Sequence, residues 1–340
     1  MTPFSATHRF IGFPGILALM VFLSASLGAQ RPVAVQIGSL RDGPAAFGAI
    51  TGAVVVGSRI AILDGRLNRL SLFDTLGRFL SAAGKAGAGP SEFAVPVSVM
   101  ATGVDSVLVI DAALGRMSTF RIRGDSLTYV GATHVPAGIQ AACVLGGRIF
   151  VFRPSDSALV HELDRKGQTL ASFARPAVTA GEAFTPVLNR GSVHCLPRAG
   201  LLIVTLRLRP EVRSFDPSGQ PRWSKSLSRF RPVAISVGRQ GAIEMRRGSQ
   251  EGDHAVLSAF ETIDSLVVVQ LGIMDDIYAA SRDYARIEAR RLRVIDGAED
   301  GVEVAGPNQV MWSGEWVLSV ARSEYPRLQV ARERRRSRVP

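Results

Sequence analysis

The chain has 340 residues, of which 46% are hydrophobic, and its formal net charge is +11. This composition allows a large buried core, in one long domain or two ordinary ones. Only three of the 40 basic residues are lysine, a bias that reflects genome composition as much as selection for an anionic partner. The aromatic residues lie mostly in strand-like patterns instead of among clustered bases, so nucleic-acid binding is not expected.

The first 29 residues have the pattern of a secretory signal peptide. MTPFSATHRF contains one arginine and no acid, and an apolar, uncharged run with small residues at its end follows. We predict cleavage after Ala29 and an exported, periplasmic or extracellular protein with no stable membrane insertion afterwards. An uncleaved N-terminal anchor is the alternative, although Gly12, Pro14 and Gly15 shorten the apolar run below the ~20 residues that span a membrane.

Short apolar runs separated by turn residues predict β-strands along the rest of the chain. RIAILDG, RLSLFD and RFLSAAG follow one another closely, with Asp64, Asn68 and Gly77 in the turns between them. This spacing indicates antiparallel strands joined by tight turns. No helix-sized apolar pattern interrupts these runs, so a parallel α/β fold is not expected.

A repeat of blade size runs through the chain. ILDGRLNRLSLFD aligns with VIDAALGRMSTFR at a constant offset of 47 residues, which places Asp64 on Asp111 and Arg69 on Arg116. A repeat of 40–50 residues made of four short strands is typical of a β-propeller. We predict an all-β, six-bladed β-propeller over residues 30–335, because roughly 305 residues at ~50 per blade give six blades.

The two ends of the chain are expected to meet in one blade. The last repeat has three apolar runs and lacks a fourth, whereas PVAVQIG (32–38) is a strand outside any repeat. We predict that this N-terminal strand completes the last blade and so closes the ring, which removes the exposed edges of an open sheet. Residues 336–340 are expected to form a basic tail.

Residues 58–130 resemble the NHL-like six-bladed β-propeller repeat. LDGRLNRLSLFDTLGRFLSAAGKAGAGPSEF matches its aspartates, arginine and phenylalanines and its closing glycine run, with Asn68 displaced by one position and Ser91 in place of a glycine. The resemblance implies a propeller, and many members of this family are exported. Because members serve as scaffolds, lyases and hydrolases, the resemblance implies no particular reaction.

The stretch GKAGAGPSEF (84–93) invites comparison with phosphate-binding loops. A Walker A loop has four residues between its first glycine and Gly-Lys, and Ser or Thr follows the lysine. Here six residues separate Gly77 from Gly84, and Ala86 follows the lysine. A dinucleotide fingerprint would need glycine in place of Glu92. We interpret the stretch as the crossover from the outer strand of the first blade to the inner strand of the second, with Phe93 packed between blades.

The polar residues show no catalytic motif. Repetition distributes the aspartate–arginine set around the ring, so we expect these residues to hold turns together. Neither H-E-x-x-H, H-x-H nor Gly-x-Ser-x-Gly occurs. Residues from several blades could still converge on the axis, and a metal-dependent lyase or hydrolase with its active site at the central channel is therefore the alternative function. No cofactor, catalytic residue or metal ligand is assigned.

Cys143 and Cys195 lie at similar distances before the apolar runs RIFVF and LLIVT. Both are therefore expected on the inner strands of adjacent blades. A disulfide requires Cα atoms within about 7 Å, and the sequence is compatible both with a disulfide and with two buried thiols.

Two insertions, at about 228–253 and 272–287, interrupt the repeat. The first is rich in arginine, and the second has Ile277, Ser281, Tyr284 and Ile287 at helical spacing, which predicts a short helix. Both are expected on the face that carries the Gly84–Phe93 loop. We predict a monomeric binding or scaffold protein that recognises a protein or an anionic ligand on this face. The predicted ligand-binding residues are Arg229, Arg231, Arg246, Arg247, Lys85 and Glu92.

Overall fold

Antiparallel strands account for most of the described part of the chain. The computed structural model describes residues 35–238, 242–246, 248, 252–274, 286–305, 308–313, 315–321 and 325–332. The predicted signal peptide, Arg247 and the tail at 336–340 lie outside these residues. Six sheets of four strands each form six blades, so the predicted six-bladed β-propeller is confirmed.

The strands follow one another through the blades in chain order. The first described strand is β1 (Val35–Ile37), which belongs to blade VI. Blade I contains β2 (Ile50–Val56), β3 (Arg59–Asp64), β4 (Arg69–Asp74) and β5 (Phe79–Ala83). Blade II contains β6 (Pro96–Ala101), β7 (Ser106–Asp111), β8 (Arg116–Arg123) and β9 (Ser126–His134). Blade III contains β10 (Ala141–Leu145), β11 (Arg148–Phe152), β12 (Val160–Leu163) and β13 (Thr169–Phe173).

The later blades carry additional elements between them. Helix α1 (Gly181–Leu188) precedes blade IV, which contains β14 (Gly191–Leu196), β15 (Leu201–Leu206), β16 (Glu211–Phe215) and β17 (Pro221–Ser226). A hairpin of β18 (Ala234–Val237) and β19 (Ile243–Arg246) follows. Blade V contains β20 (Asp253–Glu261), β21 (Leu266–Met274), β22 (Arg286–Arg293) and β23 (Glu299–Ala305). Blade VI contains β24 (Gln309–Ser313), β25 (Trp316–Ala321) and β26 (Arg327–Arg332).

The N-terminal strand closes the ring as predicted. Strand β1 pairs antiparallel with β26, with Val35 opposite Val330 and Ile37 opposite Leu328. Ile37 is fully buried in the apolar cluster between blades VI and I. The described part of the last repeat supplies three strands of blade VI, and the start of the chain supplies the fourth.

The hydrophobic core lies in the seams between blades. Each blade is apolar on both faces, because its middle strands are buried on both sides and their side chains point alternately to the two neighbouring blades. In the seam between blades I and II, Phe93 and Phe120 are both fully buried, with ring centroids 5.9 Å apart. A single blade could not bury these faces, so the ring is the folding unit.

The repeated aspartates hold turns, as the sequence predicts. The carboxylate of Asp111 is fully buried and accepts hydrogen bonds from the backbone N–H groups of Ala94, Val95, Ala113 and Leu114. Asp64 makes the same set of bonds in blade I, to residues 48, 49, 66 and 67. Each aspartate thereby ties the turn after the second strand to the segment that enters the blade.

The predicted helix in the second insertion is wrong where the structure describes it. Residues 286–291, including Ile287, belong to strand β22, and residues 272–274 belong to β21. Paired neighbouring strands supply backbone hydrogen bonds that override the local helical spacing. The insertion in blade V is thus shorter than 272–287, and residues 275–285 lie outside the described residues. Within the described ranges, no helix is long and apolar enough to cross a membrane.

Candidate binding site at the central channel

The innermost strands of the six blades surround a central channel of about 920 Å³. Strands β2, β6, β10, β14, β20 and β24 form its wall. Each innermost strand has a neighbour in its own sheet on one side only, so its other backbone edge faces the axis. Side chains of neighbouring strands bond to some of these backbone groups, such as the N–H groups of Ala142 and Val310, so the wall combines backbone with polar side chains.

The connections between strands divide into two faces because consecutive strands are antiparallel. One face carries the links from each second strand to the third and from each blade to the next; we call it the loop-rich face. Helix α1, the β18–β19 hairpin and the Gly84–Phe93 stretch all lie there. The other connections form the opposite face.

The two faces differ in charge. The described connections of the loop-rich face carry eleven basic and five acidic residues, whereas those of the opposite face carry four basic and seven acidic residues. The basic residues of the loop-rich face are Arg41, Arg66, Lys85, Arg153, Arg175, Arg190, Arg207, Arg209, Arg229, Arg231 and Arg246. Among the described connections, basic residues are thus in excess on the loop-rich face only, which favours an anionic partner there.

Two of these arginines line the channel. The backbone N–H of Arg207 donates to the carbonyl oxygen of Arg190 at 2.7 Å, and the N–H of Val256 donates to the carbonyl oxygen of Arg207 at 2.7 Å. These bonds link the start of blade IV, its second strand and the inner strand of blade V. They also bring both arginines to the same part of the channel mouth.

Helix α1 and Gln140 shape the rim beside these arginines. The Gln140 side chain donates to the carbonyl oxygen of Pro186 at 3.1 Å and accepts from the N–H of Gly191 at 3.2 Å. The fully buried Asn189 side chain accepts from Ala177 and donates to the carbonyl oxygen of Thr185 at 2.8 Å. The rim is formed by the long connection between β13 and β14, and these side-chain hydrogen bonds hold it in place.

A disulfide joins two strands of the channel wall. Cys143 on β10 and Cys195 on β14 form a disulfide with Cα atoms 5.8 Å apart, so of the two sequence interpretations the disulfide is confirmed. Both cysteines line the channel. The bond connects blades III and IV, which share no strand pairing.

His194 also lines the channel, but both of its ring nitrogens have partners. Nδ1 accepts from the backbone N–H of Ala259 at 3.5 Å, and Nε2 lies 3.2 Å from the hydroxyl of Thr205. Burial lowers the pKa of His194 to about 4, which keeps the imidazole neutral at physiological pH. In the described residues, no group of three or more His, Cys, Asp or Glu side chains has the arrangement of a metal site.

Lys85 and Glu92 contact each other on the loop-rich face. The Lys85 ammonium lies 3.2 Å from Glu92, whose carboxylate also accepts from the backbone N–H of Gly89 at 2.8 Å. Arg116 donates to the carbonyl oxygens of Ala88, Gly89 and Glu92. The stretch is the crossover between blades I and II, as predicted, and neither Lys85 nor Glu92 lines the channel.

The predicted arginines of the first insertion lie away from the channel lining. Arg231 donates to the carbonyl oxygen of Gly252 at 2.6 Å, and Arg246 lies 3.4 Å from Glu244 with its side chain 80% exposed. Arg229 lies in the left-handed region with φ of 51°. These residues form an outer part of the loop-rich face, and Arg247 lies outside the described residues.

The sequence did not predict three features at the channel, namely Arg190, Arg207 and helix α1. All lie in connections between strands, outside the repeated positions. The helix contains Pro186 and begins at Gly181, both of which argue against a helix. Only the unusual length of the connection between β13 and β14 signals an element there.

The fold is similar to solved bacterial structures of low sequence identity. A candidate exported protein from Bacteroides fragilis is 10% identical with a TM-score of 0.60, covering 89% of this chain and 97% of its own. A member of the DUF4221 family from Bacteroides vulgatus is 9% identical with a TM-score of 0.53, covering 83% and 93%. No family model and no curated protein match the sequence. The NHL-like family is therefore not established, and the structural similarity concerns the fold alone.

Proposed function

We propose that this protein is an exported β-propeller binding or scaffold module whose loop-rich face recognises an acidic protein. The charge difference between the two faces carries this proposal. The described connections of the loop-rich face contain eleven basic and five acidic residues, whereas those of the opposite face contain four basic and seven acidic residues. Such a distribution orients a partner and accelerates its association. The signal-like residues 1–29 support export, as does the similarity to a candidate exported protein.

The rim of this face offers exposed apolar side chains among the arginines. Leu67 is 45% exposed and Val95 is 51% exposed, and both lie in connections of blades I and II. Protein interfaces combine such apolar contacts with arginines that bind carboxylates through paired hydrogen bonds. An acidic protein surface suits this combination, and the ring provides a rigid platform for it.

Binding of poly-L-glutamate to the full chain tests the proposal. A triple charge reversal of the exposed residues Arg66, Arg175 and Arg246 to glutamate should weaken binding at least tenfold, because it converts three attractive charges into repulsive ones. Surface plasmon resonance at two salt concentrations would measure this change, and binding should weaken as salt increases.

A matched triple reversal on the opposite face controls for net charge. Arg78, Arg165 and Lys166 are exposed there, and their reversal to glutamate changes the total charge by the same amount. Equal loss of binding in both variants would show a diffuse charge effect and would contradict a specific face. Equally tight binding of a DNA oligonucleotide and poly-L-glutamate would contradict recognition of an acidic protein.

A further inference from the structure

We propose that the central channel binds a small amphiphilic anion, with a carboxylate or phosphate head at Arg190 and Arg207 and an apolar body along the channel wall. This inference concerns the cavity and not the outer rim, so it goes beyond the proposed recognition of an acidic protein. It rests on the charge, the side chains and the rigidity of the channel.

The charged groups of the channel have one sign. Its described lining contains Arg190 and Arg207 and no aspartate or glutamate. The low pKa of the third ionisable group, His194, leaves its ring neutral. A cation would therefore meet no carboxylate along the described wall. An anionic head could add hydrogen bonds to two arginines, the residues best suited to planar oxyanions, beside the contacts that these arginines already make.

Apolar side chains line part of the channel wall. Val97 and Val99 on β6, Ala141 on β10 and Met311 on β24 are only partly buried and line the cavity. These side chains come from blades II, III and VI, so apolar surface surrounds the axis on several sides. Removing an alkyl chain from water against such a surface contributes about 0.8 kcal/mol per buried CH₂ group.

Polar groups suited to the head lie on the same wall. The Ser192 hydroxyl, on the strand that follows Arg190, lines the channel, as do the hydroxyl of Thr51 and the side-chain amide of Gln309. These groups already donate to nearby backbone carbonyl oxygens, and they can exchange those bonds for bonds to an anionic head without adding charge. A volume of about 920 Å³ lies within the usual size range of small-molecule pockets.

The backbone around the two arginines is held in place by hydrogen bonds and by the disulfide. Backbone hydrogen bonds at 2.7 Å fix Arg207 between residues 190 and 256, and Gln140 bridges Pro186 and Gly191 beside them. The disulfide between β10 and β14 fixes the adjacent wall. Binding therefore requires little ordering of the backbone, which favours affinity for a small ligand.

Isothermal titration calorimetry of the full chain with octanoate and octyl phosphate tests the proposal. Both should bind, because they share an anionic head and an alkyl body; the tighter of the two identifies the preferred head. Acetate and 1-octanol, which each lack one part, should bind at least tenfold more weakly. Absence of octanoate and octyl phosphate binding at millimolar concentration, or equal affinity for 1-octanol, would overturn the inference.

Substitutions in the channel locate the binding. Arg190→Gln and Arg207→Gln should each weaken binding at least tenfold, whereas Arg165→Gln on the opposite face should leave it unchanged. Ser192→Phe should obstruct the channel and abolish binding while leaving both arginines in place. Thermal unfolding of each variant distinguishes a lost site from a lost fold. Full affinity in a folded Ser192→Phe variant or in a folded double arginine variant would also overturn the inference.

The two proposals can fail separately. The reversal of Arg66, Arg175 and Arg246 should change octanoate affinity less than threefold, because these side chains lie outside the channel lining and salt screens their charges. Retained poly-L-glutamate binding without octanoate or octyl phosphate binding would leave the loop-rich face as the only recognition surface. Retained octanoate or octyl phosphate binding without poly-L-glutamate binding would leave the channel as the only recognition site among the two proposed.

Discussion

Cys143 and Cys195 are bonded to each other across the seam between blades III and IV, and each belongs to the innermost strand of its blade. Backbone hydrogen bonds pair the strands within each of these blades, whereas the two blades pack through side chains. The disulfide therefore adds a covalent link where the ring otherwise depends on apolar packing. The stability of the ring should therefore depend on the redox state of these two cysteines.

Reduction of this disulfide should destabilise the protein by about 4 kcal/mol, the entropic estimate for a cross-link between residues 52 apart in the sequence. Urea unfolding with and without dithiothreitol measures the difference. The double variant Cys143→Ala/Cys195→Ala should show the lower stability in both conditions. A reductant effect of equal size in this variant would contradict the explanation.

Asp111→Asn should lower the free energy of unfolding by about 2–4 kcal/mol, because an amide NH₂ would face backbone N–H donors that the buried carboxylate now accepts. Asp125→Asn is the matched control. Asp125 is exposed and lies 3.3 Å from Arg59, so its substitution should cost less than about 1 kcal/mol. Denaturant unfolding measures both, and equal losses would contradict a structural role for the repeated aspartate.

Glu92 should make the Gly84–Phe93 crossover sensitive to acid. The N–H of Gly89, followed by Lys85, lowers the pKa of Glu92 below its usual 4.5. Its bond to Gly89 is therefore fully present above the unfolded-state pKa and is lost as the pH falls through the lower folded-state pKa. Hydrogen exchange at the Gly89 amide, corrected for intrinsic rates, should lose protection in this range. In Glu92→Gln the protection should not vary with pH there.

The parts of the fold that repeat could be predicted from the sequence. Asp64 and Asp111 recur at one spacing because blades I and II share the same turn, and the unmatched strand near Val35 predicted the closure of the ring. Gly84 was recognisable for a related reason, since a Cβ there would collide with the Phe93 ring and with the carbonyl oxygen of Asn68. A backbone turn that recurs at a fixed spacing requires the same residue type at that spacing, and the sequence shows such a repeat.

The channel could not be predicted in the same way. Arg190 and Arg207 lie in connections whose sequences do not repeat, and they meet through a backbone hydrogen bond between residues 17 positions apart. The ligand-binding residues were predicted in the arginine-rich insertion instead, because composition shows where charge lies in the sequence and not how far it lies from the channel axis. Helix α1 was not predicted because its sequence has a low helix propensity, which the buried hydrogen bonds of Thr185 and Asn189 outweigh.

His194 should contribute to a loss of stability on mild acidification. Its pKa is about 4 in the folded protein, against 6.5 for the unperturbed group. Since the unfolded chain binds the proton first, stability should fall as the pH drops from about 6.5 to about 4 and then level off for this group. Its contribution is up to about 3 kcal/mol, an upper limit because the exposed part of the ring faces the channel.

Burial is the cause of this low pKa, since it disfavours the charged imidazolium. Nδ1 accepts from the N–H of Ala259, so a proton added there would oppose an existing donor. Urea unfolding at several pH values should therefore show a shallower acid loss in His194→Gln than in the natural sequence. Some dependence should remain, because burial also lowers the pKa of His254 to about 4. The same substitution at the exposed His134 controls for the loss of an imidazole. A pH profile of His194→Gln identical to that of the natural sequence would exclude His194 as a source of the acid sensitivity.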